Sequence, residues 1–101
     1  MKDHMTARDF EQRYRDETDP WSYEDSPYEK AKYEATLAAC GSGPFASALE
    51  LGGSIGVFTE LLAPRCKKLT TIDVARTAAA MARRRVADFP GVEVLDRKSV
   101  V

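Results

Sequence analysis

The stretch "ALELGGSIGVFTELL", Ala48 to Leu62, narrows the possible folds more than any other. It is an apolar run that ends in an acid, turns through three glycines and resumes with apolar residues at helical spacing. A strand that breaks into a glycine turn and then a helix is the opening of a βα unit. The pattern continues: "FASALEL" reads as a buried strand, "GVFTELLA" as a helix ended near Pro64 and "KLTTID" as a second strand. "ARTAAAMARRRVADF" then reads as a second helix and "GVEVL" as a third strand. Strand, helix, strand, helix, strand predicts an α/β fold, a Rossmann-like right-handed βαβαβ half built on a parallel sheet.

Two helices are expected ahead of this half. "TARDFEQRYRDE" starts with Thr6 and carries Asp9 three residues on, as a capping box does, and Phe10 with Tyr14 forms an i, i+4 apolar pair. "TDPWSYEDSP" interrupts it with two prolines. "SPYEKAKYEATLAAC" then restarts with Ser26 as cap, Pro27 at the first helical position and Glu29 at the third. Its stop is "GSGP", where glycines supply a left-handed cap and Pro44 cannot continue a helix. The division expected is therefore a helical segment over 1–44, a βαβαβ half over 45–95 and a tail over 96–101.

Size and composition set the class. With 101 residues, 44% hydrophobic and 31% charged, the chain has the make-up of one small soluble domain or part of one. No apolar run approaches the roughly 18 residues of a membrane span, and "MKDHMTARDF" lacks the basic head and apolar core of an export signal. A cytoplasmic protein with no membrane partner is expected. Cys40 and Cys66 lack the spacing of a zinc or redox site and read as thiols, so no metal is expected. The net charge of −1 argues against nucleic acid. That charge is uneven, with ten acids against six bases over residues 1–36 and nine bases against six acids beyond. Arg83-Arg84-Arg85 fan over most of a helix circumference and read as a solvated face. His4 has no evident partner.

In open α/β sheets, ligands sit beyond the carboxyl ends of the strands. Two such ends stand out here: Glu50-Leu51-Gly52-Gly53-Ser54-Ile55-Gly56, and Asp73 at the close of "LTTID". Glycines let a ligand approach backbone amides that a Cβ would shield. Asp73 lies 17 residues beyond Gly56, near the roughly 20-residue spacing at which an acid meets a ribose in such folds. Its two oxygens suit two vicinal hydroxyl donors. The plainer alternatives are a tight turn and a helix cap ahead of "ARTAAAM". Together, in a βαβ context, the two ends point to a ligand that carries a nucleoside.

What is missing narrows the ligand. There is no Gly-x4-Gly-Lys-Ser/Thr loop, which argues against an NTPase. A dinucleotide turn that begins at Gly52 needs glycine at 54 and 57, where this chain has Ser54 and Val57. That disfavours an NAD-dependent oxidoreductase, the rival reading with the same topology and the same Asp73. A glycine turn preceded by an acid and followed by a ribose carboxylate, with no pyrophosphate to hold, suits S-adenosylmethionine.

"LELGGSIG" followed by "TTIDVA" resembles motif I and the following acid of class I S-adenosylmethionine-dependent methyltransferases. The ordered blocks "DPW", "SPYEKAKY" and "LELGGSIG…LAPRC…LTTIDVA", between about Phe10 and Leu95, resemble the nodulation protein S family of those enzymes. Two positions depart from the pattern: Ser54 stands where many methyltransferases have the middle glycine, and Gly53 where this family often has cysteine. The resemblance implies a class I methyltransferase fold in which Glu50, Leu51, Gly52, Gly53 and Gly56 form the cofactor turn along its methionine and ribose portion. It further implies that Asp73 holds the ribose hydroxyls and that Val74 lies against the adenine. The N-terminal segment would cover the cofactor with Trp21 packed on it, against the plainer reading of Trp21 as a core anchor. Lys32 or Lys30 would reach the cofactor carboxylate, against the plainer reading of solvated ion-pair partners. The acceptor implied is a small molecule, such as a sugar amine of a chitin-like oligosaccharide. No residue presents itself as a general base.

Class I methyltransferases have about seven strands and this chain supplies three, so the expectation is a cofactor-binding portion without the acceptor side, inactive alone. The final "DRKSVV" continues no element. It is the translation of GATCGGAAGAGCGTCGTG, which resembles a sequencing-library adapter, and the next adapter codon in that frame is a stop. Asp96 to Val101 are expected to be foreign to the fold. Resequencing the locus tests this, since an intact genomic frame ending in those codons would sink the idea.

Overall fold

The computed structural model describes residues 6–16 and 26–97. Within them, helix α1 (Ala7–Asp16) and helix α2 (Pro27–Cys40) precede β1 (Ala48–Leu51), α3 (Val57–Leu62), β2 (Leu69–Ile72), α4 (Arg76–Arg85) and β3 (Val92–Leu95). A 3₁₀ turn, Ala63–Arg65, follows α3 and contains Pro64. The three strands form one parallel sheet in the order β1-β2-β3, with Glu50 opposite Thr71 and Thr71 opposite Val94. This is the partial Rossmann-like sheet expected from the alternation of strand and helix patterns.

The helix starts follow from local chemistry. Thr6 and Asp9 close a reciprocal capping box: Asp9 N–H donates to Thr6 Oγ1 at 3.2 Å, and Thr6 N–H to Asp9 Oδ2 at 3.0 Å. At α2, Glu29 N–H donates to Ser26 Oγ, with Pro27 in the first turn. Its far end is held by a cation, as Arg65 donates to the carbonyls of Leu37 at 3.2 Å and Gly41 at 3.0 Å. Those carbonyls have no partner within the helix, and a guanidinium suits the negative end of its dipole.

One face of the sheet carries the core. Ala78, Ala79, Ala82 and Val86 recur at helical spacing, all buried, and Ala79, Ala82 and Val86 pack with Val94. A second cluster gathers Leu62, Ala63 and Leu69, with Leu37 of α2 and Phe58 of α3 against it. A third joins Tyr14 and Phe10 of α1 to Ile55, Ala75 and Ala78. The alternate strand residues face the other way, with Leu49 54% and Leu51 74% exposed. On that side Ser47, Leu49, Thr70, Glu93 and Leu95 line an open hollow of about 440 Å³. No described helix is long and apolar enough to cross a membrane.

Gly56 shows why a glycine stands there. Its φ is +89°, and a Cβ would lie 2.9 Å from Ala82 Cα, so the turn presses on α4 through backbone alone. The arginine run is the solvated face expected at Arg83 and Arg84, both exposed, and departs from it at Arg85, which is half-buried. Arg83 donates to Val94 O at 2.9 Å and Arg85 to Ile55 O at 3.2 Å, because the end of α4 lies beside β3 and the glycine turn.

The start of α4 has no cap of its own. Ala75 occupies the N-cap and offers no side-chain acceptor. Glu11, 66 residues earlier on α1, supplies it: Thr77 N–H donates to Oε1 at 2.8 Å and Thr77 Oγ1–H to Oε2 at 3.1 Å. Burial raises the pKa of Glu11, but the Thr77 bonds and Arg15 outweigh that, so it falls below the ordinary carboxylate value. A depressed folded pKa gives stability that is present above the unfolded value and lost as pH falls through the folded one. Glu11→Ala is expected to cost about 1 kcal/mol by urea denaturation near neutral pH, and its difference from the unmodified chain should shrink on acidification. An equal difference at both pH values would show that the carboxylate does not cap α4.

Candidate cofactor-binding site

The carboxyl ends of β1 and β2 bring the chemistry-bearing residues together. Glu50 points from β1 to the helix-covered side, where Thr59 of α3 and Thr71 of β2 both donate their hydroxyls to its Oε1, the Thr71 bond at 2.8 Å. Both threonines are buried. Among the described residues, Oε2 of Glu50 receives no hydrogen bond, and Glu50 lines a cleft of about 190 Å³. Burial raises the pKa of Glu50 above the ordinary value, the two threonine bonds pull it back, and the charge of Asp73 adds to the rise.

The cleft lies between α2 and the glycine turn. Lys32, Tyr33 and Thr36 line it from α2, Gly52, Gly53 and Ser54 from the turn, and Val57 and Phe58 from α3. The Tyr33 and Phe58 rings lie 5.5 Å apart between centroids and join the two walls. Lys32 meets Glu29 at 2.9 Å on the same helix and keeps half its side chain exposed. Among the described residues that line the cleft, Lys32 is the one cation, on the α2 wall, with the Glu50 carboxylate on the β1 side.

The turn is built from two kinds of glycine. Gly52 has a φ of +71°, and a Cβ there would meet nothing within 4 Å, so its surface is open to a ligand. Gly53 is the opposite case, because a Cβ would fall 2.0 Å from Thr71 Oγ1 and 3.2 Å from Glu50 Oε1. Its missing side chain makes room for the Glu50–Thr71 bond. Ser54, between them and Gly56, has a φ of +55° and is buried.

Asp73 ties this turn to the next. Ser54 N–H donates to Oδ2 at 2.8 Å, and Ala75 N–H to Oδ1 at 2.9 Å. Asp73 thus ties the turn, while neither bond comes from a first-turn amide of α4, whose cap is Glu11. Each carboxylate oxygen has two acceptor positions, so one on each remains.

Of the residues expected from the sequence, Lys32, Glu50, Gly52 and Gly53 share the cleft. Asp73 adjoins it through Ser54. Gly56 faces Ala82 of α4. Leu51, the last residue of β1, is exposed on the opposite face from Glu50, and Val74 is half-exposed just past the end of β2. Lys30, the alternative to Lys32, is exposed and outside the cleft lining. Trp21 lies outside the described residues. Sequence reasoning missed Tyr14, Thr59, Thr71 and the Glu11 cap. The threonines carried one signal, a polar residue at an inward strand or helix position.

A parallel sheet with a glycine turn after its first strand and an acid after its second is the N-terminal part of the class I methyltransferase fold. The structure superposes with a TM-score of 0.82, at 32% identity, on the N-methyltransferase NodS from Bradyrhizobium japonicum WM9 in complex with S-adenosyl-L-homocysteine. That match covers 93% of this chain and 48% of that one. A putative methyltransferase from Pseudomonas syringae matches with a TM-score of 0.63 at 33% identity, over 71% of this chain and 46% of that one. Nodulation protein S of Rhizobium tropici is 44% identical over 69 residues, 67% of this chain and 29% of that protein. The counterpart from Sinorhizobium fredii is 41% identical over 71 residues, 69% of this chain and 33% of that protein. The description of the family Nodulation protein S (NodS) matches residues 4–97, and the chain belongs to that family. It spans about a third of the length of these curated relatives.

The Gly53 contact has a measurable consequence. Gly53→Ala is expected to push Thr71 off Glu50 and destabilise the chain by about 1–3 kcal/mol. Adding Thr71→Ala should recover part of that loss in urea denaturation; a double variant less stable than Gly53→Ala alone would mean that the clash lies elsewhere.

Proposed function

We propose that this chain binds S-adenosylmethionine at the Glu50–Ser54 turn and is the cofactor-binding portion of an N-methyltransferase. The observation that carries the reading is the half-held Glu50 carboxylate: Oε1 is fixed by two buried threonines while Oε2 stands open in a cleft whose other wall presents Lys32. An amino-acid terminus, with one ammonium and one carboxylate, matches an acid and a base placed on opposite walls. The cleft, about 190 Å³, is below the roughly 300 Å³ at which whole small-molecule sites begin, so it suits that terminus while the nucleoside extends past Ser54 toward Asp73. The spare acceptor positions of Asp73 suit the two ribose hydroxyls, and Val74 beside it offers an apolar contact for the base.

When bound, the cofactor supplies a methyl carbon made electrophilic by the adjoining sulfonium. The chain's own residues then hold and orient it: Glu50 and Lys32 fix the amino-acid end, Gly52, with no Cβ, lets the ligand lie close to the turn, and Asp73 fixes the sugar. Catalysis of this kind rests on placing the acceptor in line with the methyl group, and no described residue is assigned as a base. The relative from Bradyrhizobium japonicum is an N-methyltransferase, which favours an amine nitrogen as acceptor in the whole enzyme. A sugar amine of a chitin-like oligosaccharide follows from the family resemblance. We place the acceptor side outside residues 45–95 and assign the work of residues 1–44 to covering the cofactor. A cytoplasmic location accords with a cofactor of that compartment.

Calorimetric titration of S-adenosylhomocysteine, and separately NADH, into the chain tests the reading. Heat with S-adenosylhomocysteine alone is expected, and heat with NADH alone would overturn it. Asp73→Asn is expected to weaken S-adenosylhomocysteine by about 1.5–3 kcal/mol, the range for a hydrogen bond to a charged group. Because the pKa of Glu50 is raised, the affinity should increase as pH rises through that value, when the carboxylate that faces the ligand ammonium ionises. A flat pH profile between 4 and 8 would remove Glu50 from the site.

A further inference from the structure

Ser54 is in a conformation that its own chemistry disfavours. Its φ of +55° lies in the left-handed region, where glycine sits freely and a Cβ crowds the neighbouring carbonyl. Among the described residues it is the one non-glycine with positive φ. Two bonds hold it there. Its N–H donates to Asp73 Oδ2 at 2.8 Å, and its hydroxyl is hydrogen-bonded to that of Tyr14, with both side chains buried. Tyr14 comes from α1, 40 residues away in sequence.

The Tyr14 ring is itself fixed. It packs with Ile55, Ala75 and Ala78, while Glu11, three residues earlier on the same helix, grips Thr77 at the start of α4. Rotation of Ser54 toward the ordinary right-handed region would carry its Cβ, and with it Oγ, away from the tyrosine hydroxyl. It would also change the line from its N–H to Asp73. The hydroxyl pair therefore forms in the conformation that lets the turn hold Asp73.

We propose that Tyr14 is a positioning residue for the cofactor turn: by bonding Ser54 it keeps that residue left-handed, which aims the Ser54 N–H at Asp73 and leaves the outer acceptor positions of the carboxylate turned toward a ribose. The inference rests on the cofactor reading above for its ligand, a nucleoside with a free 2′,3′-diol, and on hydrogen bonds alone for its mechanism. It carries a specific corollary. Glycine at 54 would need no support, so the tyrosine hydroxyl matters because residue 54 bears a side chain.

A double-mutant cycle tests this, with S-adenosylhomocysteine titrated calorimetrically into the chain, Tyr14→Phe, Ser54→Gly and the double variant. Phenylalanine keeps the ring in the core and removes the hydroxyl alone. Tyr14→Phe is expected to weaken binding roughly tenfold, as for a buried hydroxyl deprived of its partner. Whatever Ser54→Gly does by itself, the loss from Tyr14→Phe should vanish in its background, so that the double variant binds no more weakly than Ser54→Gly. Equal losses from Tyr14→Phe in both backgrounds, or no loss in either, would overturn the proposal. If the unmodified chain gives no heat, the cofactor reading fails and the positioning role is decided by hydrogen exchange of the Ser54 amide. Exchange about tenfold faster in Tyr14→Phe supports that role, and an unchanged rate refutes it.

Discussion

Two backbone amides on one carboxylate hold this site together. Asp73 receives Ser54 N–H from the turn after β1 and Ala75 N–H from the turn after β2, so the ends of two strands are bound by a charged acceptor and not by packing alone. Hydrogen bonds to an ionised group are the stronger kind, and here they fix two loops that would otherwise be free to part. Glu50, one strand over, is organised from beneath by Thr59 and Thr71. The two acids thus differ in their supports: Asp73 is gripped by main chain at both oxygens, while Glu50 is gripped by side chains at one. That difference leaves Glu50 with a whole oxygen for the cleft and Asp73 with only outer lone pairs.

Nearly all the elements were legible in the sequence because their signals are short-range. The capping box at Thr6–Asp9, the Ser26 cap of α2, the glycines of the turn and the apolar spacing of α4 each lie within a few residues. What was not legible lies across long separations. The Glu11 cap spans 66 residues and the Tyr14–Ser54 bond 40. Tyr14 read as half of an apolar pair with Phe10, which accounts for its ring and is silent about its hydroxyl. The bonds of Arg83 and Arg85 to backbone carbonyls, and the half-burial of Arg85, were not legible because charge and helical spacing carry no record of the carbonyls nearby. The glycine motif likewise marked a turn without separating its members, since Gly52 faces open space and Gly53 makes room for a side-chain bond.

Helix α1 is joined to the sheet region by more than contact area. It contributes a carboxylate to the start of α4, a hydroxyl to the glycine turn and two aromatic rings to the core around Ile55. Helix α2 has no fully buried residue and is attached through Arg65, Leu37 and the Tyr33–Phe58 pair. The wall of the cleft that carries Lys32 is therefore the less firmly packed one. The wall that carries Glu50 belongs to the core.

The approach of Gly56 to Ala82 has a consequence for how the sequence can drift. A side chain at 56 would collide with the Cα of residue 82, and a larger one at 82 would push the turn away from α4. Neither position can lengthen alone without moving the turn that precedes α3. The two form one steric unit, 26 residues apart in the chain, and substitution at either is constrained by the other even though neither carries a group that reacts.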